Sequence, residues 1–273
     1  MNSAVWFALG VTAAAGAATA IGAWIALFQT RMNRTFLALA LGFSAGVMIY
    51  VSFIEIVPKS LDLMTGELGS SLAAGTMSLA LLGGLVGMAV LYRLIPVLHH
   101  PALEKSDEVI SLDQDPASYY PDPLLLRAGI GVALAITLHN LPEGMATFFL
   151  TLSDPQVGVP VALAIAIHNI PEGIAVAVPI YYATRSRRAA GWFGALAALA
   201  EPVGAVIGFA VLGPFISDTL LGVVFAAVAG IMVYISIDGL LPAARQYGSG
   251  QLALYGMIAG MGVMAVSIVL FLL

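Results

Sequence analysis

The sequence predicts an all-α integral membrane protein of eight transmembrane helices arranged as inverted repeats. Three observations predict it. Of 273 residues, 60% are hydrophobic and only 9% are charged, with a mean hydropathy of +1.00, whereas soluble chains carry about 25% charged residues. The apolar residues fall in continuous runs of bilayer length and lack the alternating pattern of ten-residue barrel strands. Two pairs of these runs also repeat one another.

The runs lie at about 4–28, 36–57, 72–98, 124–152, 157–183, 189–212, 219–241 and 252–273. At a rise of about 1.5 Å per residue, each is long enough to cross roughly 30 Å of hydrocarbon. No Lys or Arg precedes the first run, so it reads as a span and not as a cleaved signal. Eight spans put Arg31, Arg34, Arg93, Lys105, Arg127, Arg185, Arg187, Arg188 and Arg245 on one side of the membrane and Lys59 alone on the other. The positive-inside rule makes the basic side cytoplasmic, with both termini outside a cytoplasmic (inner) membrane.

Residues 1–273 read as a single transmembrane domain. Its one long polar connection, 99–123, carries six acidic residues against one Lys, with four prolines, and reads as a flexible cytoplasmic loop. His99 and His100 at its start are candidates for weak metal capture, although two histidines beside a proline are more often a solvated loop. The lipid bilayer is one partner; a net charge of −5 excludes nucleic acid as another. The absence of cysteine removes disulfides and thiolate ligands. No GxxxxGK[ST] phosphate loop occurs, so the chain is not expected to hydrolyse ATP.

The segments AITLHNLPEGMA (135–146) and AIAIHNIPEGIA (164–175) match at eight of twelve positions. AGVMIYVSFIEIVP (45–58) and AGIMVYISIDGLLP (229–242) share Ala, Gly, Met, Tyr, Ser and Pro. Each pair falls on spans that cross in opposite directions. Inverted repeats with a polar, proline-interrupted helix near mid-membrane point to a secondary transporter with its site at the repeat interface. Four GxxxG pairs, Gly42/Gly46, Gly83/Gly87, Gly204/Gly208 and Gly256/Gly260, read as helix-packing surfaces.

In the doubled motif, His139 and Glu143 are four residues apart and share one helical face, with Asn140 on the adjoining edge; His168, Asn169 and Glu172 repeat the arrangement. Pro142 and Pro171 free the carbonyls of Leu138 and Ile167, and Gly144 and Gly173 allow close helix approach. The sixth span adds Glu201, also followed by a proline. Each carboxylate at a helix centre costs on the order of 2.5–3.5 kcal/mol, and no Lys or Arg is available in the membrane interior to offset it, since all ten lie at or near loops. Protons or a cation from outside the chain must supply that charge. Two imidazoles beside carboxylates and amide oxygens suit divalent first-row metals better than alkali ions. The expected site therefore lies between spans 4, 5 and 6.

Paired HNxPEG motifs on the fourth and fifth of eight spans, with Glu-Pro on the sixth, resemble the ZIP (Zrt/Irt-like protein) family of divalent-metal transporters, in particular its bacterial ZupT-like branch. The resemblance covers essentially the whole chain. It implies one metal site formed by His139, Glu143, His168 and Glu172. Asn140, Asn169 and Glu201 would form a second, bridged by Glu143 and Glu172. It further implies that Met48 and Glu55 line the route from outside and that Asp238 lies toward the cytoplasmic exit; a second copy of the chain, forming a homodimer, is a candidate partner. Two positions depart from the family pattern: Gly239 stands where relatives commonly carry an acid, and Asn169 is a neutral amide where some carry a carboxylate.

The expected function is import of divalent transition-metal ions (Zn2+, with Fe2+, Mn2+, Co2+ and Cd2+ as further candidates) as transported substrate. No cofactor and no enzymatic activity are expected. The alternative is an intramembrane metal-dependent hydrolase, which would want a general base beside an open metal position; the HExxH pattern that would favour it does not occur.

Overall fold

The computed structural model describes residues 3–28, 34–94 and 123–272, and every regular element among them is helical. His99 and His100, with most of the acidic loop, lie outside the described residues. The helices are α1 (Ser3–Phe28), α2 (Arg34–Val51), α3 (Val57–Leu68), α4 (Ser70–Leu94), α5 (Pro123–Ser153), α6 (Pro155–Thr184), α7 (Arg187–Leu212), α8 (Asp218–Tyr234), α9 (Leu241–Tyr247) and α10 (Gly250–Leu272). Seven described helical stretches are long and apolar enough to cross a membrane. Helix α5 is not among them. At 31 residues it has the length of a span.

Two expected boundaries move. The second run, placed at about 36–57, continues as helix to Leu68, and the seventh, placed at about 219–241, continues to Tyr247. Lys59 therefore sits on a helix and not in a loop. A proline just inside each extension, Pro58 and Pro242, would ordinarily break the helix, because its ring collides with the carbonyl four residues back. Here a π turn precedes each proline: Ser52–Ile56 joins α2 to α3, and Ile235–Leu240 joins α8 to α9. The Val57 amide donates to the Ser52 carbonyl and the Leu241 amide to the Ser236 carbonyl, five residues back in both cases. The wider turn makes room for the ring, and π turns of this kind concentrate at functional positions. The repeat seen at 45–58 and 229–242 is thus also a repeat of backbone irregularity.

Polar side chains start the helices that follow tight connections. Asp154 caps α6 by accepting from the Gln156 amide at 3.1 Å, and Ser186 and Ser217 do the same for α7 and α8 at 3.1 Å. Only Gly69, at φ +74°, separates α3 from α4, a left-handed conformation that a glycine adopts without strain.

Packing follows the inverted repeat. Helix α1 lies along α6 and α7 along α5, while α2 pairs with α10 and α4 with α8. Glycines set these approaches. A Cβ on Gly42 or Gly46 would fall 2.2 or 2.1 Å from carbonyl oxygens of α10, and Gly256 and Gly260 press on α2 in return. The expected Gly83/Gly87 pair does not act this way, since both positions face open space; Gly84, where a Cβ would lie 2.0 Å from the Ala227 carbonyl, makes the contact with α8. Large apolar side chains such as Trp6, Trp24, Leu79 and Trp192 remain exposed on the outside of the bundle, as lipid-facing positions require.

Candidate metal centre

The two HNxPEG segments occupy the middles of α5 and α6, which lie side by side between α1 and α7. Each residue of the motif has a distinct task, and both copies perform it. The Asn140 side-chain amide donates to the Ala197 carbonyl of α7 at 3.0 Å, and that of Asn169 to the Ala15 carbonyl of α1 at 3.1 Å. Gly144 packs on the backbone of Glu201 and Gly173 on that of Thr19, where a Cβ would lie 2.1 and 1.9 Å from the carbonyl oxygens. In return Gly204 packs on Leu141 and Gly22 on Ile170. Residues 15, 19 and 22 of α1 therefore stand to α6 as 197, 201 and 204 of α7 stand to α5. This extends the inverted repeat to the first and sixth spans, which sequence similarity alone did not pair. Within it, the counterpart of Glu201 is Thr19.

The remaining motif groups converge. His168 Nε2 lies 3.0 Å from Glu143 Oε1, His139 Nε2 lies 3.5 Å from Glu143 Oε2, and His139 Nε2 lies 4.0 Å from Glu172 Oε1. Ligand atoms of His139, Glu143 and His168 all fall within 4.8 Å of one another, a spacing that one metal ion can bridge. On the adjoining edge, Asn169 also donates to Glu201 Oε1. The His, Asn and Glu side chains of both motif copies and that of Glu201 are buried, each with 1% exposure or less.

Burial makes their unmet bonding capacity informative. Nδ1 of both histidines, Oδ1 of both asparagines and Oε2 of Glu172 and Glu201 find no hydrogen-bond partner among the described residues. A buried polar atom left in that state costs about 1–3 kcal/mol. Because the asparagines spend their N–H groups on backbone carbonyls, their oxygens face inward as acceptors. The unmet atoms are thus predominantly electron-pair donors, and a cation satisfies them better than any neutral group.

Of the other expected residues, Glu55 lies in the first π turn and lines a cavity that extends to Glu143, with Lys59, Thr147 and Met232 also on its wall. Met48 is fully buried and does not line this cavity; Met232, its repeat counterpart, does. Asp238 is exposed in the second π turn and accepts from Tyr234 four residues earlier, at 2.8 Å, away from the cluster. Three further polar groups were not anticipated. Ser44 of α2 is within hydrogen-bond distance of Glu172 Oε1 (3.3 Å) and of the His168 carbonyl (3.4 Å). Lys59 and Asp154 form an ion pair of 3.7 Å beside Glu55. A buried serine inside an apolar run was the available signal for Ser44; the Lys59–Asp154 pair is made by tertiary contact and has no local signature.

Comparison with known proteins agrees with this construction. The family model described as ZIP Zinc transporter matches residues 98–268. The chain is similar to the zinc transporter ZupT of Lysinibacillus sphaericus, 49% identical over 270 residues covering 99% of each chain. It is likewise similar to the ZupT proteins of Nitratidesulfovibrio vulgaris, 49% identical over 98% of each chain, and Streptococcus mutans, 47% identical over the full length of both. With helices that span a membrane, a doubled HNxPEG cluster at their centre and this likeness along its whole length, the chain belongs to the ZIP family.

Proposed function

We propose that the protein is a secondary transporter that imports divalent transition-metal ions across the cytoplasmic membrane, with zinc as the leading substrate. The observation that carries this reading is the convergence of His139, Glu143 and His168, with unmet donor atoms, in the middle of helices long enough to span a bilayer. Relatives of matching length carry zinc transport in their names. Family membership also removes the footing of the hydrolase alternative.

In this reading α5 is a span as well, the fourth of eight, and nine of the ten basic residues lie on the cytoplasmic side, so both termini face outward. A metal ion reaches Glu143 along the cavity beside Glu55. It is held by His139, Glu143, His168 and Glu172, while Asn140, Asn169 and Glu201 offer a neighbouring position that shares Glu143 and Glu172. Asp238 stands toward the exit. Transport proceeds by rocking of one helix group against the other, with the two π turns as matched points of bending. The absence of thiolates favours binding that is specific yet reversible.

The test is uptake by vesicles containing only this protein, with Zn2+ as the traced ion and Fe2+, Mn2+, Co2+ and Cd2+ as competitors. Saturable Zn2+ uptake that transition metals suppress and Mg2+ does not is the expected result. A folded protein in sealed vesicles that moves none of these ions would overturn the proposal.

A further inference from the structure

The cavity that reaches Glu143 contains a positive charge, an unexpected lining for a route taken by cations. Lys59 lies on its wall together with Glu55, four residues earlier on the same continuous helix and within electrostatic reach. Its Nζ stands 3.7 Å from Asp154 Oδ2, while Asp154 Oδ1 is engaged in capping α6. The ion pair thus ties the start of α3 to the first turn of the helix that carries His168, Asn169 and Glu172. Glu55 also borders a second cavity, lined by Gln156, Pro160 and Met264, so it stands where two openings meet.

Neither packing nor stability accounts for the lysine. In the inverted repeat its counterpart is Ala243, so the fold does not require a cation at this register. The side chains of Lys59 and Asp154 are 28% and 39% exposed, and ion pairs so open to solvent contribute about 0–1 kcal/mol. Such a pair is easily broken. A divalent ion approaching Glu55 and Asp154 gains about twice the Coulomb energy of a monovalent ion at equal distance, so it displaces the ammonium more readily.

We infer that Lys59 is a tethered counter-ion of this mouth: it neutralises Glu55 and Asp154 between transport cycles, yields to a divalent cation, and keeps monovalent cations from occupying the acids. The inference rests on the transport reading above and adds a residue that sets apparent affinity and charge selectivity without ligating the metal in the central cluster.

The experiment compares wild type, Lys59→Met, Lys59→Arg, Asp154→Asn and the double variant Lys59→Met/Glu55→Gln in vesicles, reading initial Zn2+ uptake against Zn2+ concentration at low and high NaCl. Lys59→Met is expected to lower KM about five-fold with maximal rate within about two-fold, the scale of one screened like charge removed from near a divalent ion. Added NaCl should inhibit this variant more steeply than wild type. Lys59→Arg should keep the wild-type KM and salt response. Asp154→Asn, which leaves the ammonium to Glu55 alone, should raise KM, and the double variant should lose the gain in affinity. An unchanged or higher KM in Lys59→Met, or equal salt sensitivity in all variants, overturns the inference. Should Lys59→Met fail to fold, Lys59→Gln is read by the same criteria. Uptake by wild type tests the transport reading separately; its absence would remove both.

Discussion

His168 Nε2 stands 3.0 Å from Glu143 Oε1, although the two residues belong to different helices and to opposite copies of the repeat. Glu143 also faces His139, one turn earlier on its own helix. One carboxylate is therefore shared by the imidazoles of both halves, and neither copy of the motif completes a metal-binding set by itself. Any movement that separates α5 from α6 parts His168 from Glu143.

Replacing that shared carboxylate gives the sharpest expectation. Glu143→Gln keeps the shape of the side chain and removes its charge, and should reduce Zn2+ uptake by at least about a hundred-fold, since even indirect supports of metal ligands are worth 10- to 100-fold. Circular dichroism and gel filtration in detergent should be unchanged. Transport near the wild-type rate would exclude Glu143 as a ligand.

Ser44 tests how strongly the cluster depends on its setting. Its hydroxyl is positioned to donate to Glu172 Oε1 at 3.3 Å. A hydrogen bond to a charged group contributes about 1.5–3 kcal/mol, and the long distance places this one at the weak end. Ser44→Ala should raise the KM for Zn2+ about three- to ten-fold with little change in maximal rate, and Ser44→Thr, which retains a hydroxyl, should lie between the two. Equal KM values for wild type and Ser44→Ala would show the contact to be incidental.

A pair of glycine substitutions separates packing from chemistry. A Cβ on Gly173 would stand 1.9 Å from the Thr19 carbonyl, whereas one on Gly83 would meet nothing within 4 Å. Forced overpacking costs about 1–3 kcal/mol or more, while glycine to alanine in an open helix gains up to about 1 kcal/mol. Gly173→Ala should therefore melt well below wild type in a detergent thermal-shift assay, and Gly83→Ala at or above it. The opposite order would contradict the helix registers described here.

Uptake should fall as the external pH falls. Histidine ligates only when neutral and glutamate only when ionised, so protons compete with the metal for the same atoms. The loss should be progressive across an external series from about pH 8 to 5. The measurement is initial Zn2+ uptake across an external pH series at fixed internal pH. Faster uptake at low pH would instead indicate that proton entry drives transport.

Much of the candidate site was legible in the sequence because membranes make polar residues conspicuous. His139, Glu143, His168 and Glu172 stand out against apolar neighbours, and their spacing fixes which face of each helix they share. The spans were legible for the same reason, except that Pro58 and Pro242 concealed how far two helices continue. A π turn offsets a proline without leaving any residue type of its own, so the repeat at 45–58 and 229–242 was visible while its backbone form was not. Gly84 was missed in favour of Gly83 and Gly87 because GxxxG spacing does not reveal which side of a helix meets a neighbour. The correspondence of Thr19 with Glu201 depends on contacts between helices distant in the chain, which residue identities do not encode.

That correspondence has a consequence for the ion's surroundings. Scaffolding on the two flanks of the cluster is nearly interchangeable, with an asparagine clamp, a glycine seat and a reciprocal glycine on each. At the point where chemistry begins, one flank presents an acid and the other an alcohol. The backbone framework is symmetric and the charge field is not, so an ion at the centre is drawn toward α7 and away from α1. A structure with metal bound should find it off the pseudo-twofold axis, on the side of Glu201.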